Sequence, residues 1–198
     1  MKRIGLLGGS FDPPHHAHLA LAHSALDELQ LDEVRWLPAG QPWQKPRDIT
    51  PAADREAMVA LAIAGEPRFR IDDRELRRRG ASYTVDTVRE LHAAEPAEWF
   101  LLLGQDQYAN LTTWHDWRDL VARVTLAVAS REGIAPTPPA PLASVPHRVA
   151  TLTMPRIDVS STDIRRRSAA GEPIAGLVPA AVASYIDRHH LYRGNPGS

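Results

Sequence analysis

Gly8-Gly9-Ser10-Phe11-Asp12-Pro13-Pro14-His15-His16-Ala17-His18 is the stretch from which the architecture can be read. A short apolar run, residues 3–7, precedes it, and residues 17–30 follow with Leu19, Ala22, Leu26 and Leu29 at helical spacing. A buried strand, a glycine-bearing polar turn and an amphipathic helix in succession open an α/β unit. The alternation continues outward. Residues 33–37 read as a strand closed by Pro38, and residues 54–64 as a helix with Ala57, Met58, Leu61 and Ala62 on one face. Residues 69–72, 99–103, 124–129 and 149–154 read as further short strands. Residues 84–94 (with Val85, Val88 and Leu91 in a stripe), 116–122, 160–169 and 179–190 read as further helices. Five prolines between Pro136 and Pro146 mark a loop, since strands flank them. There is no internal repeat. The expected fold is α/β, a Rossmann-like parallel sheet with helices on both faces. One domain is expected over residues 1–198, the helices from about 160 to 193 packing on it. In such sheets ligands bind beyond the carboxyl ends of the strands. The unusual residues of this chain fall there, after the first, second and fourth strands, and at the head of the helix beginning at Ser160.

Composition narrows the function. The chain has 198 residues, enough for one domain of roughly 150 residues plus an appendage. Its 24% charged and 43% hydrophobic residues exclude a wholly disordered chain. No run approaches the roughly 18 apolar residues of a membrane span. Lys and Arg number 23 against 24 Asp and Glu, a net charge of −1, so no global attraction to nucleic acid or an anionic membrane is expected. The chain has no cysteine, which excludes disulfides, thiolate nucleophiles, iron–sulfur clusters and cysteine-based zinc sites. The apolar run after Met1-Lys2-Arg3 is too short for a signal peptide, and a cytoplasmic location is expected.

Four constellations carry chemistry. In the first, Gly8 and Gly9 permit close backbone approach and positive φ, and Ser10 and Phe11 follow in a loop stiffened by Pro13 and Pro14. His15 and His18 share a face of the helix that begins there, and its free N–H groups and dipole favour an anion. The plain alternative is a surface turn with scattered histidines. His15, His16 and His18 also suggest nitrogen ligands for a metal, but no carboxylate stands at ligand spacing, so no metal ligand is named. Neither G-x-G-x-x-G nor G-K-[ST] occurs. The second constellation is Val159-Ser160-Ser161-Thr162-Asp163-Ile164-Arg165, hydroxyls at a helix start with an arginine one turn inside. It reads as a phosphate site or as an ordinary capped helix. The third is Gly104-Gln105-Asp106 after a buried strand, where Asp106 is either a ribose acceptor or a helix cap. The fourth is Trp114, a stacking surface for a planar ring or a packed side chain. Lys45 reaches from the loop after the second strand, either into the site or into solvent.

These residues resemble a known family. The first stretch resembles the (T/S)FDPxHxGH signature of the nucleotidyltransferase superfamily, and Val159 to Arg165 its ISSTxIR motif. Glu75-Leu76-Arg77-Arg78-Arg79, Ser82-Tyr83-Thr84, Gly104-Gln105-Asp106, Thr113-Trp114, and Tyr185-Ile186 with Leu191-Tyr192-Arg193 resemble its bacterial nicotinate-nucleotide adenylyltransferase branch. The likeness covers nearly the whole chain. Ala17 stands where the pattern has glycine, which tightens the helix start.

The resemblance implies a nucleotidyltransferase-type fold and transfer of adenylate from ATP to nicotinate mononucleotide, giving deamido-NAD and pyrophosphate. It implies Mg²⁺ held mainly by substrate phosphates and water. It implies that His15 and His18 bind the reacting phosphates and that Gly8, Gly9, Ser10 and Phe11 line the shared cleft. Ser161, Thr162 and Arg165 would take the ATP tail, and Lys45 would assist the leaving pyrophosphate. Gly104 and Asp106 would face the adenosine ribose. Trp114 would stack on the pyridine ring, and backbone donors around Thr84 would meet its carboxylate. Rival readings are a phosphopantetheine adenylyltransferase, a nucleotide sensor without turnover, and a basic nucleic-acid module built on Arg77 to Arg79 and Arg165 to Arg167, against which the net charge speaks. The sequence is compatible with a monomer and with a homo-oligomer.

Overall fold

A computed structural model describes residues 1–42, 49–130, 134–155 and 157–193. The strands are β1 (Lys2–Gly9), β2 (Glu33–Pro38), β3 (Gln41–Pro42), β4 (Phe69–Ile71), β5 (Ala81–Ser82), β6 (Ala97–Leu103), β7 (Thr125–Ser130) and β8 (Arg148–Thr153). The helices are α1 (His16–Glu28), α2 (Ala52–Ile63), α3 (Arg74–Arg77), α4 (Thr84–Ala94), α5 (Gln105–Ala109), α6 (Trp117–Arg123), α7 (Ala140–Ala143), α8 (Ser161–Ala169) and α9 (Ala180–Arg188). Six strands form one sheet in the order β4-β2-β1-β6-β7-β8. Every pairing in it is parallel.

Alternation along β1 divides the core. Ile4 and Leu6 pack on one face with Val85, Val88 and Leu91 of α4 and Leu120 and Val121 of α6. Leu7 points to the other face, with Leu21, Ala22, Ala25 and Leu26 of α1 and Val59 and Ile63 of α2. The expected sheet covered on both faces is therefore what forms. A third cluster joins Met58 of α2 and Ile164 of α8 to Val178, Val182 and Ile186, so α8 and α9 seat on α2. No helix among the described residues is long and apolar enough to cross a membrane.

Several boundaries differ from the sequence reading. β1 continues through Gly8 and Gly9, because these pair with Leu37 and Pro38 of β2. α1 begins at His16 and ends at Glu28; Gln30, expected inside it, has φ 49°. Pro179 and Asp116 flank their helices as caps instead of lying inside them. The proline-rich stretch contains the one-turn helix α7, whose Leu142 is fully buried. β3 and β5 form a separate two-stranded parallel pair.

Candidate active site

β1 and β6 lie side by side at the centre of the sheet, where the strand order reverses, and their carboxyl ends open on a cavity of about 400 Å³. That lies within the range of small-molecule sites, about 300–1,000 Å³. Gly8, Gly9, Ser10 and Phe11 form one wall. A β-carbon on Gly8 would meet nothing within 4 Å, so the backbone there faces open space that a ligand can occupy. The expected positive φ falls on neither Gly8 nor Gly9. Both are held extended by the pairing with β2, and the left-handed residue is Phe11, at φ 48°. Its ring is buried against Trp36 at 5.2 Å and edge-on to His18 at 5.1 Å. That packing holds a backbone conformation costing a bulky residue about 1–3 kcal/mol.

His15 and His18 share a face, as the spacing predicts, with ring centroids 3.7 Å apart. Nδ1 of His18 accepts from the His15 backbone N–H at 3.2 Å, which orients the ring that lines the cavity. His15 lies behind it, 7% exposed, its Nδ1 without a hydrogen-bond partner among the described residues. Burial, helped by neighbouring His16, pushes its pKa down to about 4, so its imidazole is neutral at neutral pH. Any hydrogen bond its ring makes is therefore that of a neutral imidazole and not of a cation. The helix start is also less open than expected, because the His16 N–H donates to the Leu177 carbonyl at 3.1 Å.

The head of α8 meets the same loop. Ser160 caps the helix, its hydroxyl accepting from the Asp163 N–H at 3.1 Å. Ser161 lines the cavity, and its Oγ donates to the Pro13 carbonyl at 2.9 Å. Arg165 Nη1 donates to the Asp12 carbonyl at 2.8 Å, and Nη2 to Thr162 Oγ1 at 3.1 Å. Residues 148 and 153 positions apart in the chain are thus stitched together.

Thr84 at the start of α4, Trp114, half-buried after α5, and Gly104 complete the wall. Four expected contact residues do not form it. His15 is screened by His18, and Thr162 is exposed and engaged by Arg165. Arg165 is turned onto Asp12. Asp106 is exposed; Gln107 lines the cavity instead, its Oε1 folded back to accept the Gly104 N–H at 3.1 Å. Lys45 lies outside the described residues.

Other residues of the site had no separate reading in the sequence. Glu75 and Ser82 line the cavity. Burial holds the Glu75 carboxyl above the usual carboxylate range, and it accepts from Thr87 Oγ1 at 2.7 Å, which in turn accepts from Arg78 Nη1 at 3.0 Å. Asp12, fully buried, accepts from the Tyr192 hydroxyl at 2.7 Å. Arg55 is buried beside the same loop. An isolated arginine on a helix ordinarily reads as a solvated side chain, which is why Arg55 carried no signal.

Comparison with known proteins identifies the family and the fold. The cytidylyltransferase-like family matches over residues 6–167. A probable nicotinate-nucleotide adenylyltransferase of Methylibium petroleiphilum is 56% identical over 196 residues, covering 96% of this chain and 92% of that protein. A relative of the same description from Bordetella petrii is 50% identical over 197 residues, covering 98% and 100%. The fold resembles that of the Plasmodium falciparum nicotinic acid mononucleotide adenylyltransferase solved with NaAD, at a TM-score of 0.79 and 20% identity, over 97% of this chain and 98% of that one. With the glycine loop, His18 and the head of α8 all converging on one cavity, and with relatives alike over nearly their full length, the chain belongs to the cytidylyltransferase-like family and, within it, to the nicotinate-nucleotide adenylyltransferases.

Proposed function

We propose that this chain transfers the adenylyl group of ATP to nicotinate mononucleotide, forming deamido-NAD and pyrophosphate in NAD biosynthesis. A phosphate oxygen of the mononucleotide attacks the α-phosphorus. The bond from that phosphorus to the bridging oxygen of the β-phosphate breaks, and its electron pair leaves with pyrophosphate. The attacking phosphate is already ionised at neutral pH, so no general base is needed. Catalysis is then in-line positioning and stabilisation of charge on the transferring phosphoryl group.

The stitching of the first loop to the head of α8 carries this reading, because it brings both phosphate-binding motifs to one cavity. Gly8, Gly9, Ser10 and Phe11 line the shared cleft, and His18 donates to the reacting phosphates with His15 behind it. Ser161 and Arg165, with Thr162, take the ATP tail; Arg165 does so by turning from the Asp12 carbonyl. Gly104 and Gln107 face the adenosine. Trp114 stacks on the pyridine ring, and the opening turn of α4 at Thr84 donates to its carboxylate. A carboxylate only accepts whereas an amide also donates, so backbone N–H groups there favour nicotinate over nicotinamide. Lys45 is assigned to the leaving pyrophosphate from the sequence.

Among the described residues the cavity wall carries one carboxylate, Glu75, already engaged by Thr87. That donor set fits Mg²⁺ arriving on the substrate phosphates, where it supplies charge neutralisation. We place the reaction in the cytoplasm.

The test is the purified chain with ATP, Mg²⁺ and each mononucleotide in parallel. Deamido-NAD and pyrophosphate from nicotinate mononucleotide are expected. Binding of both substrates without pyrophosphate release would overturn the reading in favour of a sensor.

A further inference from the structure

Arg55, one of the largest fully buried side chains, lies beside the cavity and has no part in the scheme above. It sits in the first turn of α2, 1% exposed. Its guanidinium donates to carbonyls of three segments: Nη1 to Ser10 at 2.9 Å, Nη2 to Gly40 at 3.4 Å, and Nε to Thr50 at 2.9 Å. Ser10 is cavity wall, and Gly40 adjoins Ala39, which is also wall.

A cation at this place is unfavourable on two counts. It is stripped of water, and it stands at the positive end of a helix dipole. An apolar side chain of similar length would fill the space with neither cost. What offsets them is the three carbonyls and the charge of Asp12. Asp12, itself fully buried, is held by the Tyr192 hydroxyl at 2.7 Å. The loop from 10 to 13 is therefore fixed at Ser10 by Arg55, at the Asp12 side chain by Tyr192, at the Asp12 carbonyl by Arg165 and at Pro13 by Ser161. Arg165 and Ser161 also face the substrate side in the scheme above, and Arg165 gives up its hold on the Asp12 carbonyl when it turns to the ATP tail. Arg55 and Tyr192 do not line the cavity.

We propose that Arg55 and Tyr192 are positioning residues for adenylyl transfer: acting through Ser10 and Asp12 they set the phosphate-facing loop, and Arg55 locks that loop to the one after β2. The inference rests on the adenylyl-transfer reading. Changing either residue removes no group that lines the cavity but lets the loop shift, so ground-state binding is retained and transition-state alignment is lost. A displacement of about 1 Å is enough to cost on the order of 100-fold in rate.

The test measures kcat and both KM values per natively folded molecule, the folded fraction being counted by pulse proteolysis. R55K keeps the charge but cannot span three carbonyls, and its kcat is expected to fall about 10- to 100-fold with both KM values within about threefold. Y192F removes one hydroxyl, and its kcat is expected to fall about fivefold with the same KM pattern. A merely structural role would lower the folded fraction and leave kcat per folded molecule unchanged. If both variants keep kcat within about twofold, or if KM rises with kcat intact, the positioning role is overturned. Should R55K fail to fold, Y192F decides alone. If the wild-type chain makes no deamido-NAD, the functional reading falls and this inference with it; an active wild type with unaffected variants sinks the inference only.

Discussion

His18 presents its ring to the cavity, and His15, stacked on it at 3.7 Å, does not. The pair thus divides into a cavity-facing ring and a buried support. In the proposed mechanism His18 donates to developing charge, so removing its ring withdraws that contact. His18→Ala is expected to lower kcat at least about 100-fold with an unchanged circular dichroism spectrum, as steady-state kinetics on the purified variant would check. The support has a pH signature. With a pKa near 4 in the folded chain and 6.5 in the unfolded one, His15 takes up a proton on unfolding at mildly acid pH. Its share of stability is therefore present above 6.5 and is lost as pH falls from 6.5 towards 4. Between pH 7 and pH 5 the wild type should lose about 2 kcal/mol that His15→Gln does not, measurable by urea unfolding of both at each pH. At this scale the sequence was informative where residue type and spacing alone decide the matter, as in His15 with His18. It was uninformative where a contact comes from across the chain, as in Tyr192 on Asp12 or Arg55 on Ser10.

Among the elements, the loop after β2 and helix α3 show how close the backbones run beside the site. A β-carbon on Gly40 would lie 2.2 Å from the Glu75 carbonyl oxygen, a backbone atom with no side-chain freedom to yield. Gly40→Ala should destabilise the protein by about 2–3 kcal/mol and raise KM for the mononucleotide, since the new methyl would also press on Ser82 Oγ, 3.3 Å away in the cavity wall. Chemical denaturation with steady-state kinetics would show both. Ser160→Ala should cost about 1 kcal/mol through loss of the α8 cap, in the same denaturation measurement. Legibility follows element length. β1, β2, β6, β7 and β8 carry apolar runs long enough to recognise, and α1, α2 and α4 carry a stripe. β3 and β5 have two residues each and can show no period; α7 hides among prolines that read as breakers. Asp106 was expected in the wall and Gln107 stands there, because a five-residue helix turns neighbouring side chains in different directions and only its placement settles which one faces in.

For the molecule as a whole, the third cluster decides whether α8 and α9 stay seated. Ile186, 2% exposed, packs with Met58, Ile164, Val178 and Val182. Ile186→Ala should lower global stability by about 2–4 kcal/mol, in a single cooperative thermal transition if the cluster folds with the sheet. A separate early transition would show instead that these helices melt independently. The parallel order and the cover on both faces were legible from the alternation of strands and helices. The seating of α8 and α9 on α2 was not, because Met58 reads equally well as part of any helix face.

Asp12 and Tyr192 meet although 180 positions separate them in the chain. A growing polypeptide that has left the ribosome as far as Thr153 already contains every strand of the six-stranded sheet, yet neither Ser161 nor Arg165 nor Tyr192 has emerged to brace the glycine loop. A chain released at that point holds the complete sheet but an unbraced glycine loop, so synthesis must pass α9 and reach Tyr192 before the loop is fully held.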